Sequence, residues 1–346
     1  MRARVPVAVI AAVVLGGSVL GQSGKHLNPM VDLLAAKKPI FGLSAPSARG
    51  GGPGGNRGRA GADGTTAPAP ATPAPPPATP KTPLELAKDT LAHPESDYFF
   101  NGGMERGVDP GIAAFTEYAN ALVEAGAISR SPYHHLLAPL SVKTPKISPD
   151  PAKAIENISR QLNIGVASIS FVGVDTAEEL QQGIAAMRFK SKGGTRPDAI
   201  GDAPKYWGVS EKEYREKADV WPLNPNGELV AWAIVESKEG LANVRAIAQV
   251  KGLGVLIPGA GTLGGVFSTT NAEGVRVRDD AAWEAANQQV LAACKEFNVP
   301  CGYPANAKDI EMRMKQGFSV FIIQAFNEGG FQAVSIGRQV SGRDKQ

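Results

Sequence analysis

The sequence predicts an α/β protein, a (β/α)8 TIM barrel with a disordered Pro/Gly-rich insertion after its first strand. Short apolar, β-branched runs alternate with amphipathic helical stretches, the pattern of parallel strands covered on both faces by crossover helices. About eight such β/α units can be counted, which suits a closed barrel better than an open sheet. The chain has 346 residues, 43% of them hydrophobic, enough for the ~250 residues of such a barrel.

The chain opens with two arginines, an apolar run from Val5 to Leu15 and a small-residue close at Val19-Leu-Gly21. This is the form of a secretory signal peptide over 1–21, cleaved before Gln22. The run is short of the ~20 residues that span a bilayer, so no stable membrane span is expected after processing. The protein is expected to be exported, periplasmic or secreted. Residues 22–45 begin the barrel, with the first strand in Lys38-Pro-Ile-Phe-Gly-Leu-Ser. Residues 46–82 are then rich in Gly, Pro and Ala. They lack the apolar content to offset their ordering entropy, which predicts disorder.

Residues 83–346 supply the rest. Strands are predicted at Asp97-Tyr-Phe-Phe, Leu136–Lys143, Val166–Val172, Leu229–Glu236, Gly254–Ile257, Val299–Tyr303 and Phe318–Gln324. Helices are predicted from Pro83, then over Asp109–Gly126, Pro149–Leu162, Ala177–Arg188, Gly240–Val250, Asp280–Phe297 and Asn306–Lys315. The stretch 190–228 is long for a connection, and Tyr206, Trp207, Tyr214 and Trp221 make it too aromatic to be disordered. It reads as an ordered excursion over the rim or a subunit contact. After Gln324 about twenty residues remain, with Gly329-Gly330 as a flexible joint.

A net charge of +3 without a basic, aromatic-interleaved stripe gives no footprint for nucleic acid. Cys294 and Cys301 are the only cysteines. They could pair in an exported protein, but a large core needs no staple, and buried free thiols are expected.

Glu236 carries the most functional information. It closes an apolar strand at the carboxyl-terminal rim, where α/β folds keep their chemistry. The next strand opens into Pro258-Gly-Ala-Gly-Thr-Leu on the same rim, where Gly259, Ala260 and Gly261 let backbone approach a ligand. Gly259 to Gly264 spells G-x-G-x-x-G, but no helical face or acid-tipped second strand follows to complete a dinucleotide fingerprint. His134 and His135 precede a strand, which places them at the amino-terminal face in structural roles.

Five segments, in order, resemble the HpcH/HpaI aldolase and citrate lyase family. They are Asn28-Pro-Met-Val with Leu33-Leu-Ala-Ala-Lys-Lys-Pro, Gly194-Thr-Arg-Pro with Tyr206-Trp-Gly, Ala218-Asp-Val-Trp-Pro-Leu-Asn-Pro, Ile234-Val-Glu-Ser with Gly240-Leu-Ala-Asn-Val, and Val299-Pro-Cys-Gly. The resemblance implies a class II pyruvate-type aldolase that holds a small keto or hydroxy acid on a divalent ion, Mg²⁺ or Mn²⁺. It also implies a homo-oligomer whose subunits exchange their final helices. Glu236 matches the family's metal glutamate, while Thr262 stands where the second metal carboxylate belongs. Arg106 replaces the catalytic histidine in Met104-Glu-Arg106, and Lys143 replaces the arginine that grips the substrate carboxylate. On this basis Glu236 and Thr262 are the metal candidates. Lys143, Gly259, Ala260 and Gly261 are the substrate-binding candidates, and Arg106, Lys143 and Glu105 the catalytic ones. Arg106 cannot act as a base at neutral pH, which leaves Glu105 or water to move the proton. The expected activity is retro-aldol cleavage of a 4-hydroxy-2-oxo acid. The alternative is a degenerate barrel that binds such an acid without turnover.

Replacing residues 46–82 with a short linker should leave the melting temperature nearly unchanged, because that segment has little apolar surface to bury. Loss of a cooperative unfolding transition would show that the segment is structural.

Overall fold

The computed structural model describes residues 26–47 and 79–343, so the predicted leader and most of the predicted insert lie outside the described residues. Eight parallel strands curl into a TIM-like barrel: β1 (Ile40–Ser44), β2 (Tyr98–Asn101), β3 (Leu140–Thr144), β4 (Ser168–Phe171), β5 (Leu229–Val235), β6 (Leu253–Pro258), β7 (Gly302–Pro304) and β8 (Val320–Ile323). Each pairs with the next in sequence from β1 to β6, β7 pairs with β8, and β8 returns to β1. A bridge between Leu256 and Cys301 joins β6 to β7 and closes the ring.

The predicted strands fall close to these, with one difference. Leu136 leaves the barrel to pair with Ile128 in a small hairpin, and β3 begins only at Leu140. Pro139 lies between them, and a residue without an N–H interrupts a ladder. Thirteen helices surround or cap the sheet among the described residues. Among them are α1 (Pro29–Ala35), α4 (Pro151–Leu162), α5 (Ala177–Met187), α8 (Lys238–Ala242), α9 (Val244–Ala248), α10 (Ala260–Val266), α11 (Asp280–Phe297) and α13 (Glu328–Val340). The single helix expected over Gly240–Val250 is two short ones, α8 and α9, meeting at Asn243.

Alternation along the strands divides the core in two. On β5, Leu229, Ala231, Ala233 and Val235 pack outward against the helices, while Val230, Trp232 and Ile234 fill the interior. Tyr98 meets Trp232 edge to face at 5.1 Å and donates its hydroxyl to the Phe321 carbonyl at 2.8 Å. These two large rings fit because nearby positions are small. A Cβ on Gly42 would come within 2.1 Å of the Tyr98 ring.

Met30, Val31 and Leu34 of α1 plug the amino-terminal end of the barrel against Ile40, Val230 and Val320. Buried Glu228 ties this plug to the start of β5, accepting from the Leu27 and Asn28 backbone N–H groups at 3.0 Å each.

Four expectations need correction. The stretch 190–228 does not cover the rim. α5 returns the chain to the amino-terminal end, and there Tyr206 donates to the Ala138 carbonyl and Trp207 to that of Gly165. Its buried Arg196 stacks 4.3 Å over Phe189. Next, Gly329 and Gly330 form no free joint. They lie in the first turn of α13, where a Cβ on Gly330 would approach the Ala325 carbonyl to 2.6 Å. α13 packs on its own barrel, with Gly337 against Phe41. Cys294 and Cys301, expected as free thiols, form a disulfide. Asn298, left-handed after α11, reverses the chain and brings their Cα atoms to 5.6 Å. Finally, the glycine turn after β6 does open a helix, α10, which is followed by the antiparallel hairpin Ser268–Thr270 and Arg276–Arg278. No parallel strand follows there, so the dinucleotide pattern stays incomplete.

Glu228→Ala should cost about 2–4 kcal/mol, because it strands two buried N–H donors. Urea unfolding measures this, and a change below about 0.5 kcal/mol would show that the plug is held by apolar packing alone.

Candidate functional site at the carboxyl-terminal rim

The inward series on β5 runs Val230, Trp232, Ile234, and the next inward position is Glu236. The same alternation on the other strands brings Ser44, Gly102, Lys143, Gly259, Pro304 and Gln324 to that level. With Glu236, these seven residues line one cavity of about 270 Å3, walled also by Phe100, Ile234, Ile257 and Ile322. Trp232 and Tyr98 lie further down the barrel interior.

Glu105, Lys143 and Glu236 all face this cavity, as do Gly259, Ala260, Gly261 and Thr262. Seven of the eight residues singled out in the sequence are thus brought together. Arg106 is not. It is exposed on the loop after β2 and does not line the cavity. Sequence comparison with a family pattern gives Arg106 a place in the chain, but the turn after Glu105 carries its side chain away. Gln324 and Ser44 escaped the sequence reading, although each is the inward residue at a strand end. Counting inward positions from the neighbouring core residues would have found both.

Lys143 Nζ donates to Glu105 Oε2 at 2.8 Å. Buried Gln161 of α4 bridges the segments that carry them, since its amide donates to the Lys143 carbonyl at 2.8 Å and to Sδ of Met104, the residue before Glu105, at 3.7 Å. Beside β5, Ser237 donates to Asp175, which also pairs with Lys146. Ser237 caps α8 by accepting from the Gly240 N–H at 2.9 Å, and this fixes the turn that follows Glu236.

Burial, the largest influence, pushes the Glu236 carboxyl above the ordinary glutamate value. The Thr262 hydroxyl hydrogen-bonds it and pulls the value back, as does the Lys143 charge, while Glu105 pushes it up. Gly259 leaves the carboxylate room, for a Cβ there would come within 2.8 Å of Glu236 Oε2.

A divalent ion on Glu236 and Thr262 meets a donor set that does not fit it well. Mg²⁺ and Mn²⁺ take hard oxygens, preferably anionic ones. Here one carboxylate is offered, the Thr262 hydroxyl is directed at that carboxylate, and the Lys143 ammonium repels a cation. The physical cause is the threonine where a second acid would have stood.

A larger cleft of about 870 Å3 opens at the other end of the barrel. Its lysines, Lys37, Lys38, Lys251 and Lys295, follow or close helices, and Lys295 Nζ donates to the Gln316 carbonyl at the end of the helix Ile310–Gln316 at 2.7 Å. Cations there complement helix carboxyl termini. His134 belongs to this end too, hydrogen-bonded through Nε2 to the Trp207 carbonyl.

The profile of the HpcH/HpaI aldolase/citrate lyase family matches residues 114–320, more than half of the chain. Among solved structures, an HpcH/HpaI aldolase/citrate lyase family protein from Burkholderia cenocepacia J2315 superposes with a TM-score of 0.60 at 18% identity, covering 92% of this chain and all of that one. An HpcH/HpaI aldolase from Desulfitobacterium hafniense DCB-2 gives 0.54 at 14%, over 90% of this chain and 96% of that one. Macrophomate synthase gives 0.53 at 16%, over 92% and 90%. At these identities the likeness shows the fold. A comparison with curated proteins finds no match.

Because the folded pKa of Glu236 lies above its unfolded value, its contribution to stability is present below the unfolded pKa and lost as pH rises through the folded one. Glu236→Gln should therefore match the wild type in acid and gain in melting temperature as pH climbs through that window. Equal melting curves at all pH values would show that burial does not penalise this carboxylate.

Proposed function

The chain belongs to the HpcH/HpaI aldolase/citrate lyase family, and from that premise we propose that it is a carbon–carbon lyase cleaving 4-hydroxy-2-oxo acids. One observation carries this: an ammonium and two carboxylates, on Lys143, Glu105 and Glu236, share a single cavity with apolar walls at the carboxyl-terminal rim. Retro-aldol cleavage needs a cation beside the keto acid to receive developing negative charge, and a base to take the C4 hydroxyl proton. Lys143 supplies the first and Glu105 the second. Phe100, Ile234, Ile257 and Ile322 give the cavity apolar walls beside Lys143, whose side chain is 17% exposed, and this strengthens its attraction for a bound anion. The glycines at 259 and 261 leave room for the substrate beside Glu236.

The family is one of metal-dependent lyases, and Glu236 is the residue through which this chain would take up an ion. The donor set fits such an ion poorly, and the roles of Lys143 and Glu105 in the cleavage do not require one. A second reading, a barrel that binds a keto or hydroxy acid without turnover, is favoured by the threonine at 262 and by Arg106 lying outside the cavity.

Export from the cell is part of the proposal. It rests on the sequence of residues 1–21 and is supported by the disulfide, since such bonds persist in oxidising compartments. Assembly into a homo-oligomer rests on the family likeness and is supported by Val275 and Val277, exposed on the hairpin after α10.

Incubation with 4-hydroxy-2-oxo acids should release pyruvate, measured by a coupled dehydrogenase, and Lys143→Met should lower the rate at least about 100-fold. Saturable binding without pyruvate release from any such acid would replace the lyase with the binding protein. Separately, Thr262→Asp should tighten Mn²⁺ binding at least about tenfold by adding a second anionic oxygen. Equal affinity by calorimetry would mean that Thr262 does not govern the site.

A further inference from the structure

We propose that Lys143 is a covalent catalyst, forming an imine with the carbonyl carbon of the 2-oxo acid, with Glu105 as its proton carrier. This rests on the lyase reading for its substrate class and replaces the metal with a different electron sink. Lysine amines form Schiff bases with carbonyl substrates, and three features of this cavity suit that chemistry. Lys143 Nζ opens into the cavity from the inward position of β3, and its side chain is 17% exposed. Glu105, 2.8 Å away, is in place to take a proton from Nζ and return it to oxygen. The donor set that would let a cation polarise the carbonyl has lost an acid, at Thr262, whereas the nucleophile is present.

The steps balance without any outside oxidant or reductant. Lys143 Nζ passes a proton to the Glu105 carboxylate and attacks C2 of the keto acid, breaking the carbonyl π bond. A second proton moves from nitrogen to the former carbonyl oxygen, and Glu105 returns its proton as that oxygen leaves as water. The sum is ammonium plus ketone giving iminium plus water, with Glu105 ionised again. Glu105 next takes the C4 hydroxyl proton while the C3–C4 bond breaks. The electron pair of that bond moves to the iminium nitrogen, leaving an enamine and a free aldehyde. Glu105 protonates C3, and water hydrolyses the resulting iminium to pyruvate and the Lys143 ammonium.

Gln161 has a positioning role, because it holds the Lys143 carbonyl and Met104 at once. Arg106, outside the cavity, has no part in these steps.

The test uses the full chain with pyruvate and sodium borohydride in the presence of EDTA, followed by peptide mass spectrometry. Wild type should gain one reduced pyruvyl group on the peptide holding Lys143. Lys143→Arg, which keeps the charge, should gain none, and Glu105→Gln should form the adduct at least tenfold more slowly. Gln161→Leu should slow adduct formation while Lys143 remains the site of modification. The outcome that overturns the inference is a wild type that binds pyruvate saturably by NMR yet yields no adduct. A Lys143→Arg variant labelled as heavily as wild type would overturn it equally. Pyruvate release that EDTA abolishes, with no adduct trapped, would keep the lyase and remove the imine. An adduct on Lys143 without cleavage of any hydroxy-oxo acid would keep the imine and remove the lyase.

Discussion

The packing of Trp232 against Tyr98 inside the barrel is the constraint on which the rest depends. Two rings of this size can share the interior only if the strands around them present glycine and serine, as Gly42 does beneath Tyr98. β5 alternates without a break, so once Trp232 points inward the facing of every residue along it is set. Ile234 and Glu236 must then also point inward. The half-buried carboxylate at the rim is thus a consequence of core packing two turns of the pleat below it.

That position has an electrostatic consequence. Glu236 emerges from an apolar layer of isoleucines, so burial raises its proton affinity, and its neighbours offset this only in part. Among the described residues Lys143 is the one cation lining the cavity, and it is already paired with Glu105. The cavity therefore holds two carboxylates and one ammonium within low-dielectric walls, where charge interactions are strong and each group's protonation affects the others. A substrate anion can enter by competing with Glu105 for Lys143. Such competition couples binding to proton movement, as acid–base chemistry on a keto acid requires.

The far end of the barrel has a different task. Glu228, α1 and the aromatic excursion around Trp207 close the barrel floor, and the helix carboxyl termini gather lysines there. The two ends share strands but not chemistry. The larger cleft lies at the stabilising end, and the smaller cavity holds the acids.

Much of this architecture was legible in the sequence. The apolar runs at Leu229–Glu236 and Gly254–Ile257 read as buried parallel strands, and the acid closing the first was placed at the rim. The same logic placed His134 and His135 at the opposite face. Local patterning could not say which way a loop side chain turns, and only the turn after β2 separates Arg106, exposed outside the cavity, from Glu105, which lines it. Nor could it say that Cys294 and Cys301, seven residues apart, would be brought face to face by the left-handed Asn298. Gln324 and Ser44 join the site only through closure of the ring, which sets residues hundreds of positions apart around one cavity. The sequence by itself determined the strands, their inward faces and the acid at the rim, because alternation and burial are properties of a strand and its neighbours. The pairing of Lys143 with Glu105 was decided by tertiary structure alone, because it depends on the distance between β3 and the loop after β2, which no local pattern encodes.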